Sequence, residues 1–140
     1  MPTYLTIAEP LQFHADPIKG SRFIADVFPV STPDEASSHI QHLQETFPDA
    51  THHCWAWRLH HQGQSRSSDD GEPGGSAGRP ILAQIEGHNL DDVLVVVTRY
   101  YGGTKLGVGG LIRAYGGTAG KALDTAQIRT VLETERLEIA

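Results

Sequence analysis

The sequence predicts one domain that mixes strands and helices, and three observations carry that reading. At 140 residues the chain can bury roughly two-thirds of its surface around a single core without disulfides or metals as staples. Short β-rich runs and amphipathic helical stretches follow one another along it, with no repeat, linker or second core. A hydrophobic share of 39% with 20% charged residues is globular, and no apolar run nears the roughly 18 residues that a membrane span needs.

The elements follow in order. "TYLTI", "LQFHAD" and "SRFIADVFPV" read as strands, with Lys19 and Gly20 as the hairpin turn between the last two. A helix then starts after Ser31 or Thr32 as N-cap, with Pro33 at its first position and Asp34 and Glu35 in its first turn. Ala36, Ile40, Leu43 and Phe47 give it one apolar stripe, and Pro48 ends it. "THHCWAWRL" alternates as a strand, placing His53, Trp55, Trp57 and Leu59 on one face and Cys54, Ala56 and Arg58 on the other. On this reading Trp55 and Trp57 are core residues rather than stacking platforms.

Residues 60 to 78 read as one long polar loop, and loops beyond about 12 to 15 residues in a compact domain are usually functional or disordered. "RPILAQIEG" is a short helix closed by Gly87. "DVLVVVTRYY" is the β-branched run of a strand covered on both faces or lying mid-sheet. A glycine-rich helix follows from about Gly109 to Asp124, and "IRTVLETERLEIA" closes the chain as a strand.

Charge makes the sequence two-sided. The net charge is -6, yet residues 99 to 123 hold Arg99, Lys105, Arg113 and Lys121 and none of the chain's seventeen acids. A local anion site is compatible with that balance, because screening confines charge effects to about 8 to 10 Å. The lone cysteine, Cys54, cannot form an internal disulfide, and the N-terminal residues lack the basic patch and apolar core of a signal peptide. Both point to the cytoplasm.

The same segment carries eight of the fifteen glycines after a strand, so the phosphate-binding patterns need testing. For G-x-G-x-x-G, Gly107 and Gly109 fit but Ile112 holds the last position; for the P-loop, Gly120 and Lys121 fit but Tyr115 and Ala122 do not. "GGSAG" at 74 to 78 formally matches a nucleophile elbow, but no apolar strand precedes Ser76. No catalytic motif survives. Gly116, Gly117 and Gly120 together forgo about 3 kcal/mol of helix propensity, which a close approach to a neighbour at Gly116 and Gly120 would offset. Gly102, Gly103, Gly107, Gly109 and Gly110 are expected to precede the helix rather than sit within it, where they free the backbone and bare N–H groups to an anion. Arg99, Tyr100, Tyr101, Lys105 and Arg113 complete that candidate binding segment.

A second candidate is the acidic loop Ser68, Asp69, Asp70, Gly71 and Glu72. Its three carboxylates suit a hard cation or acid–base work, or contact with Arg99 or Arg113. It lacks calcium-loop spacing. His52 and His53 on one strand point to opposite faces and cannot chelate together, and His60 and His61 read likewise as surface or packed residues. Neither a metal nor a cofactor is expected.

Four blocks together resemble a known family: "KGSRFIA" (19–25), "FPDATHHCWAW" (47–57), "SDDGEPGGSAGRPIL" (68–82) and "VVVTRYYGGTKLGVGGLIRAYGGTAGKAL" (95–123). They are similar to the IMPACT family, in its bacterial YigZ-like branch, from Lys19 to Leu123. The resemblance implies an α+β two-layer sandwich like the second domain of a small-subunit ribosomal protein and domain IV of elongation factor G. In that fold a mostly antiparallel four-stranded sheet carries helices on one face. Branch members continue into a smaller ferredoxin-like domain, so a sequence ending at Ala140 is expected to form a single IMPACT N-terminal-like domain over 1–140 without it. Eukaryotic members regulate translation by competing for the activator of a starvation-responsive kinase, which makes this a stress-response family.

Three functions are therefore open. The first is a noncatalytic cytoplasmic module that regulates translation by binding RNA or a ribosome-associated protein, with no membrane partner. A second is a metal-assisted phosphoryl or phosphodiester hydrolase, with Asp69, Asp70 and Glu72 on Mg²⁺ and Arg99, Lys105 and Arg113 on phosphate. The third is a protein-interaction domain without nucleic acid. An enzyme requires that the acidic loop and the basic segment meet in one concave pocket.

Overall fold

The computed structural model describes residues 2 to 133. Its strands are β1 (Thr3–Ile7), β2 (Leu11–His14), β3 (Arg22–Pro29), β4 (His52–Leu59), β5 (Gln64–Ser68), β6 (Val93–Tyr100) and β7 (Ile128–Leu132). Its α-helices are α1 (Pro33–Thr46), α2 (Gly78–Gly87) and α3 (Gly107–Asp124). The last predicted strand is β7; its expected continuation from residue 134 lies outside the described residues.

Five strands form one sheet in the order β2-β3-β6-β4-β5, every neighbouring pair antiparallel, and β1 with β7 forms a separate two-stranded ribbon. β6 lies at the centre, with Val93 to Val97 all fully buried. Its alternation sorts the layers. Val93, Val95 and Val97 join Phe23, Ala25, Val27, Cys54 and Ala56 beneath α2 and α3, whereas Leu94 and Val96 join Trp57 and Leu59 beneath Ala36, Ile40 and Leu43 of α1.

The α+β class and the antiparallel sheet are as expected, but two details differ. The sheet has five strands instead of four, and α1 covers the face opposite α2 and α3. The extra strand, β5, comes from the segment read as loop: "QSRSS" has no apolar alternation, and it is held by pairing with Arg58, Trp57 and their neighbours on β4 and by the close approach of α2 at Gly78. Cover on both faces follows from β6, whose side chains are apolar in both directions and would otherwise leave Leu94 and Val96 in water.

Two tight turns fix the sheet ends where the site lies. Lys19 and Gly20, with φ of 48° and 83°, form a hairpin turn closed by the Ser21 N–H on the Ile18 carbonyl at 2.9 Å. Asp70 and Gly71, at 41° and 89°, repeat that geometry, closed by the Glu72 N–H on the Asp69 carbonyl at 2.9 Å. Both are the mirror-image turns for which a residue followed by Gly is the usual signal.

The helix glycines divide. A Cβ at Gly116 would stand 3.5 Å from Pro80 Cβ, and one at Gly120 would stand 2.6 Å from Gln84 Oε1, so these two face α2. Their near neighbour is a helix and not the sheet. Gly117 faces open space.

Candidate functional site

The acidic loop meets the glycine-rich segment through one buried ion pair. Arg99, near the end of β6, donates from Nη1 to Glu72 Oε2 at 2.7 Å, and both side chains are 5% exposed. The rest of the shell holds both groups still. Tyr115 of α3 donates its hydroxyl to the same Glu72 oxygen at 2.6 Å, and His52 Nε2 lies 3.4 Å from Glu72 Oε1. Arg99 Nε and Nη2 also donate to Ser21 Oγ at 3.4 and 3.3 Å, and the guanidinium lies over the rings of Phe23 (5.7 Å) and Tyr101 (5.4 Å). Such an arrangement satisfies a charge that burial alone would penalise heavily.

The other two acids serve the scaffold. Asp69 accepts from the Gly75 N–H through Oδ2 at 3.0 Å and from Ala77 and Gly78 through Oδ1 at 3.1 and 2.9 Å, which caps the start of α2. Partial burial would raise its pKa, but these N–H groups and the charge of Arg79 outweigh that and hold it below the usual carboxylate value. Asp70 accepts from the His53 N–H at 2.6 Å, and its carbonyl accepts from His52 Nδ1 at 2.7 Å. Ser68 Oγ accepts from the Asp70 N–H at 3.2 Å. Beneath the loop, burial and nearby acids push the Cys54 thiol up to about 12, against the lowering effect of its bond with Tyr115, and burial raises the Tyr115 hydroxyl as well. Among the described residues, no group of three or more His, Cys, Asp or Glu side chains is placed to hold a metal ion.

The ion pair forms the inner wall of a cleft of about 530 Å³. His52, Thr51 and Pro73 line one side, and Tyr101, Lys105, Leu106, Gly107, Val108 and Leu111 the other. α3 begins here, with Gly107 and Val108 lining the cleft, and among the described residues its first turn has no capping side chain and no acid. Gly107 enters the helix at a φ of 73°, a left-handed conformation that side chains disfavour. Lys105 is exposed, and no bond or ion pair joins it to another described residue. Tyr101 and Val108 rim the cleft at 48% and 52% exposure, and Ile112, one helical turn beyond Val108, is exposed at 42%.

The predicted site residues thus part company. Glu72, Arg99, Tyr101, Lys105 and Gly107 share the cleft. Tyr100 turns away, its ring under the Arg22 guanidinium at 4.6 Å. Gly102 is a close-approach residue: a Cβ there would fall 2.1 to 2.4 Å from the backbone of Gly20 and Ser21. Gly103, at a φ of 91°, and Gly71 shape turns, while Gly109 and Gly110 lie in the first turn of α3. Arg113 is exposed in a different groove beside Asp16 and Lys121, and it does not meet the acidic loop. Sequence reasoning missed Ser21, His52 and Tyr115, because only the pairing of Arg22 with Tyr100, the pairing of His52 with Arg99 and the packing of α3 bring them to the Arg99–Glu72 pair.

Fold and cleft define a small α+β domain with an apolar-rimmed cleft backed by a buried ion pair. Its relatives make the assignment specific. The Impact N-terminal domain family matches residues 19–123, and the chain belongs to that family. It is 40% identical to the IMPACT family member YigZ of Escherichia coli, over 99% of this chain and 70% of that protein. Protein IMPACT of Oryctolagus cuniculus is 36% identical over 67% of this chain, which spans 32% of its length. A crystal structure described as that of a hypothetical protein superposes with a TM-score of 0.87 at 38% identity, covering 94% of this chain and 65% of that one.

Proposed function

We propose that this domain is a noncatalytic binding module of translational control, and that it seats a protein partner in the cleft before α3. The observation that carries this reading is the division of labour across the cleft. Acidic loop and basic segment do meet in one concave site, as an enzyme would require, but Asp69, Asp70 and Glu72 are each bonded to the scaffold. Ligating Mg²⁺ would mean uncapping α2 or stranding Arg99 as a buried charge, so the hydrolase reading loses its ligands. What the cleft offers is Lys105, the N–H groups of α3 and the apolar rim of Tyr101 and Val108. Apolar side chains exposed around a polar centre suit a protein surface. The role in translation follows from the regulatory eukaryotic members of the family.

One observation favours RNA as a second reading: the open ring of Tyr101 beside Lys105 could stack a base next to a phosphate. A photoreactive phenylalanine analogue placed at position 108 in living cells separates the two. The expected adduct survives nuclease, is a protein of the translation apparatus, and is lost when Lys105→Ala is added. An adduct that nuclease removes would replace the protein partner with RNA. No adduct dependent on Lys105 would remove the cleft from function.

A further inference from the structure

On the far side of α2 from this cleft's chemistry lies a second groove, of about 440 Å³, lined by Ser65, Arg66 and Ser67 of β5 and by Arg79, Leu82 and Glu86 of α2. β5 ends the five-stranded sheet, paired with β4 on one side only, so alternate residues turn their N–H and C=O groups outward. The groove's shape follows from one contact. A Cβ at Gly78 would lie 2.8 Å from the backbone of Ser68, so α2 is pressed onto the strand at that point. Ser65 and Ser67, opposite Arg58 and Ala56 of β4, lie on the α2 face, and Arg66, opposite Trp57, springs from the other face at the sheet's edge while still lining the groove.

From this geometry we infer that the β5 edge is a docking site for a short acidic segment of another protein, which adds to the sheet as a sixth strand and rests against α2. Backbone pairing with β5 supplies affinity without sequence demands, and side chains facing α2 are selected by Leu82 and Arg79. Charge identifies the occupant. Arg66 and Arg79 are exposed and have no hydrogen bond or ion pair with a described residue, and among the described residues Glu86 is the only acid that lines the groove. Acidic side chains on alternate faces of an added strand would reach both arginines, one on each side of the sheet. A second copy of this chain is the poorer occupant. Edge-to-edge pairing about a two-fold axis would bring one Arg66 toward the other, between molecules that each carry a net charge of -6. A nucleic-acid strand has no alternating N–H and C=O groups to match the edge.

Selection from a random dodecapeptide library displayed on phage tests the inference, with the intact domain as bait and the Arg66→Glu/Arg79→Glu double variant as counter-bait. Acidic, β-prone peptides should be enriched on the wild-type domain and should bind the folded double variant at least tenfold more weakly. In NMR titrations the selected peptide should shift the amide signals of residues 64–68, and methylating its alternate backbone nitrogens should abolish binding. Three results would each overturn the inference: enrichment without acidic residues, binding that survives the charge reversal or the methylation, or shifts centred on Lys105 and α3. If Arg66 only guards the edge against aggregation, Arg66→Ala will promote self-association and no peptide will be enriched. A uridine oligomer that shifts the same β5 amides would assign the groove to nucleic acid instead.

Discussion

The two walls of the cleft are built to opposite plans. On the acidic wall every carboxylate is bonded to another part of the fold: Asp69 to the start of α2, Asp70 to the backbone of β4, Glu72 to Arg99 and Tyr115. On the glycine-rich wall, among the described residues, Lys105 has no partner and α3 has no capping side chain, and Tyr101 and Val108 are exposed. Both walls carry charged side chains, and both looked like sites in the sequence. The difference teaches that a cluster of charges marks function only where its partners are missing. Where the partners are present, the same residues are structure.

The largest effect that would break this contrast belongs to Glu72. Glu72→Ala leaves the Arg99 guanidinium buried without its counter-ion, a type of change that costs about 3 to 5 kcal/mol. Equilibrium urea unfolding should show that loss as a lower midpoint. If Glu72→Ala unfolds at the wild-type midpoint, the acidic wall is no scaffold and its carboxylate becomes available for chemistry.

Asp69 sharpens the contrast at the next level. Asp69→Ala removes the acceptor for three backbone N–H groups, so a loss of about 1 to 2 kcal/mol is expected, at the upper end of the range for caps. Its pH signature has a definite sign. Because its folded pKa is lowered, its contribution is fully present above the unfolded value of 3.8 and is lost as pH falls through the folded value.

Asp26 runs the other way. It is 6% exposed on β3, its Oδ1 accepts from Gln12 Nε2 at 2.9 Å, and its Oδ2 has no partner among the described residues. Burial raises its pKa more than Gln12 and His14 lower it. The folded state therefore holds that proton more tightly than the unfolded chain. Asp26 should weaken the fold above its folded pKa, and that penalty should fade as pH falls toward 3.8. Melting curves of Asp26→Asn should show a higher midpoint than wild type at neutral pH and no such gain near pH 3.8. An unchanged neutral midpoint would mean that Asp26 is relieved in solution by a group outside the described residues.

Much of this architecture was legible because local chemistry and tertiary need agreed. Thr32 caps α1, as its position before Pro33 suggested, by accepting from the Glu35 N–H at 3.1 Å. The valines of β6 announced a strand covered on both sides, and Trp57 with Leu59 packs beneath α1 as their alternation required. β5 was illegible because a polar edge strand is created by its neighbour; nothing in "QSRSS" prefers pairing over solvent. At the site, the block "SDDGEP" and the arginine of "RYYGG" could be picked out and their contact foreseen, but not that Glu72 makes it while Asp69 and Asp70 serve the scaffold. A carboxylate that caps a helix and one that awaits a cation look alike until the chain has placed its N–H groups. Arg113 misled for the same reason: eight residues beyond Lys105 in sequence, it lies on a part of α3 that borders another groove.

The smallest stability effects are expected on the glycine-rich wall, and there the absence of change is the informative result. Lys105→Ala removes an exposed side chain with no partner among the described residues, so its unfolding midpoint should stay within about 0.5 kcal/mol of wild type. Val108→Asp places an acid in the first turn of an uncapped helix, where the helix dipole favours negative charge, and should be neutral or slightly stabilising. Neither change touches the Arg99–Glu72 pair. If the wall exists to bind, Lys105→Ala should abolish the cross-link from position 108, and Val108→Asp should abolish capture of the same partner in a pull-down, while the fold, followed by circular dichroism, is unaltered. A Lys105→Ala variant that loses more than about 1 kcal/mol would show that this wall too is held by internal bonds, and the two sides of the cleft would then be alike.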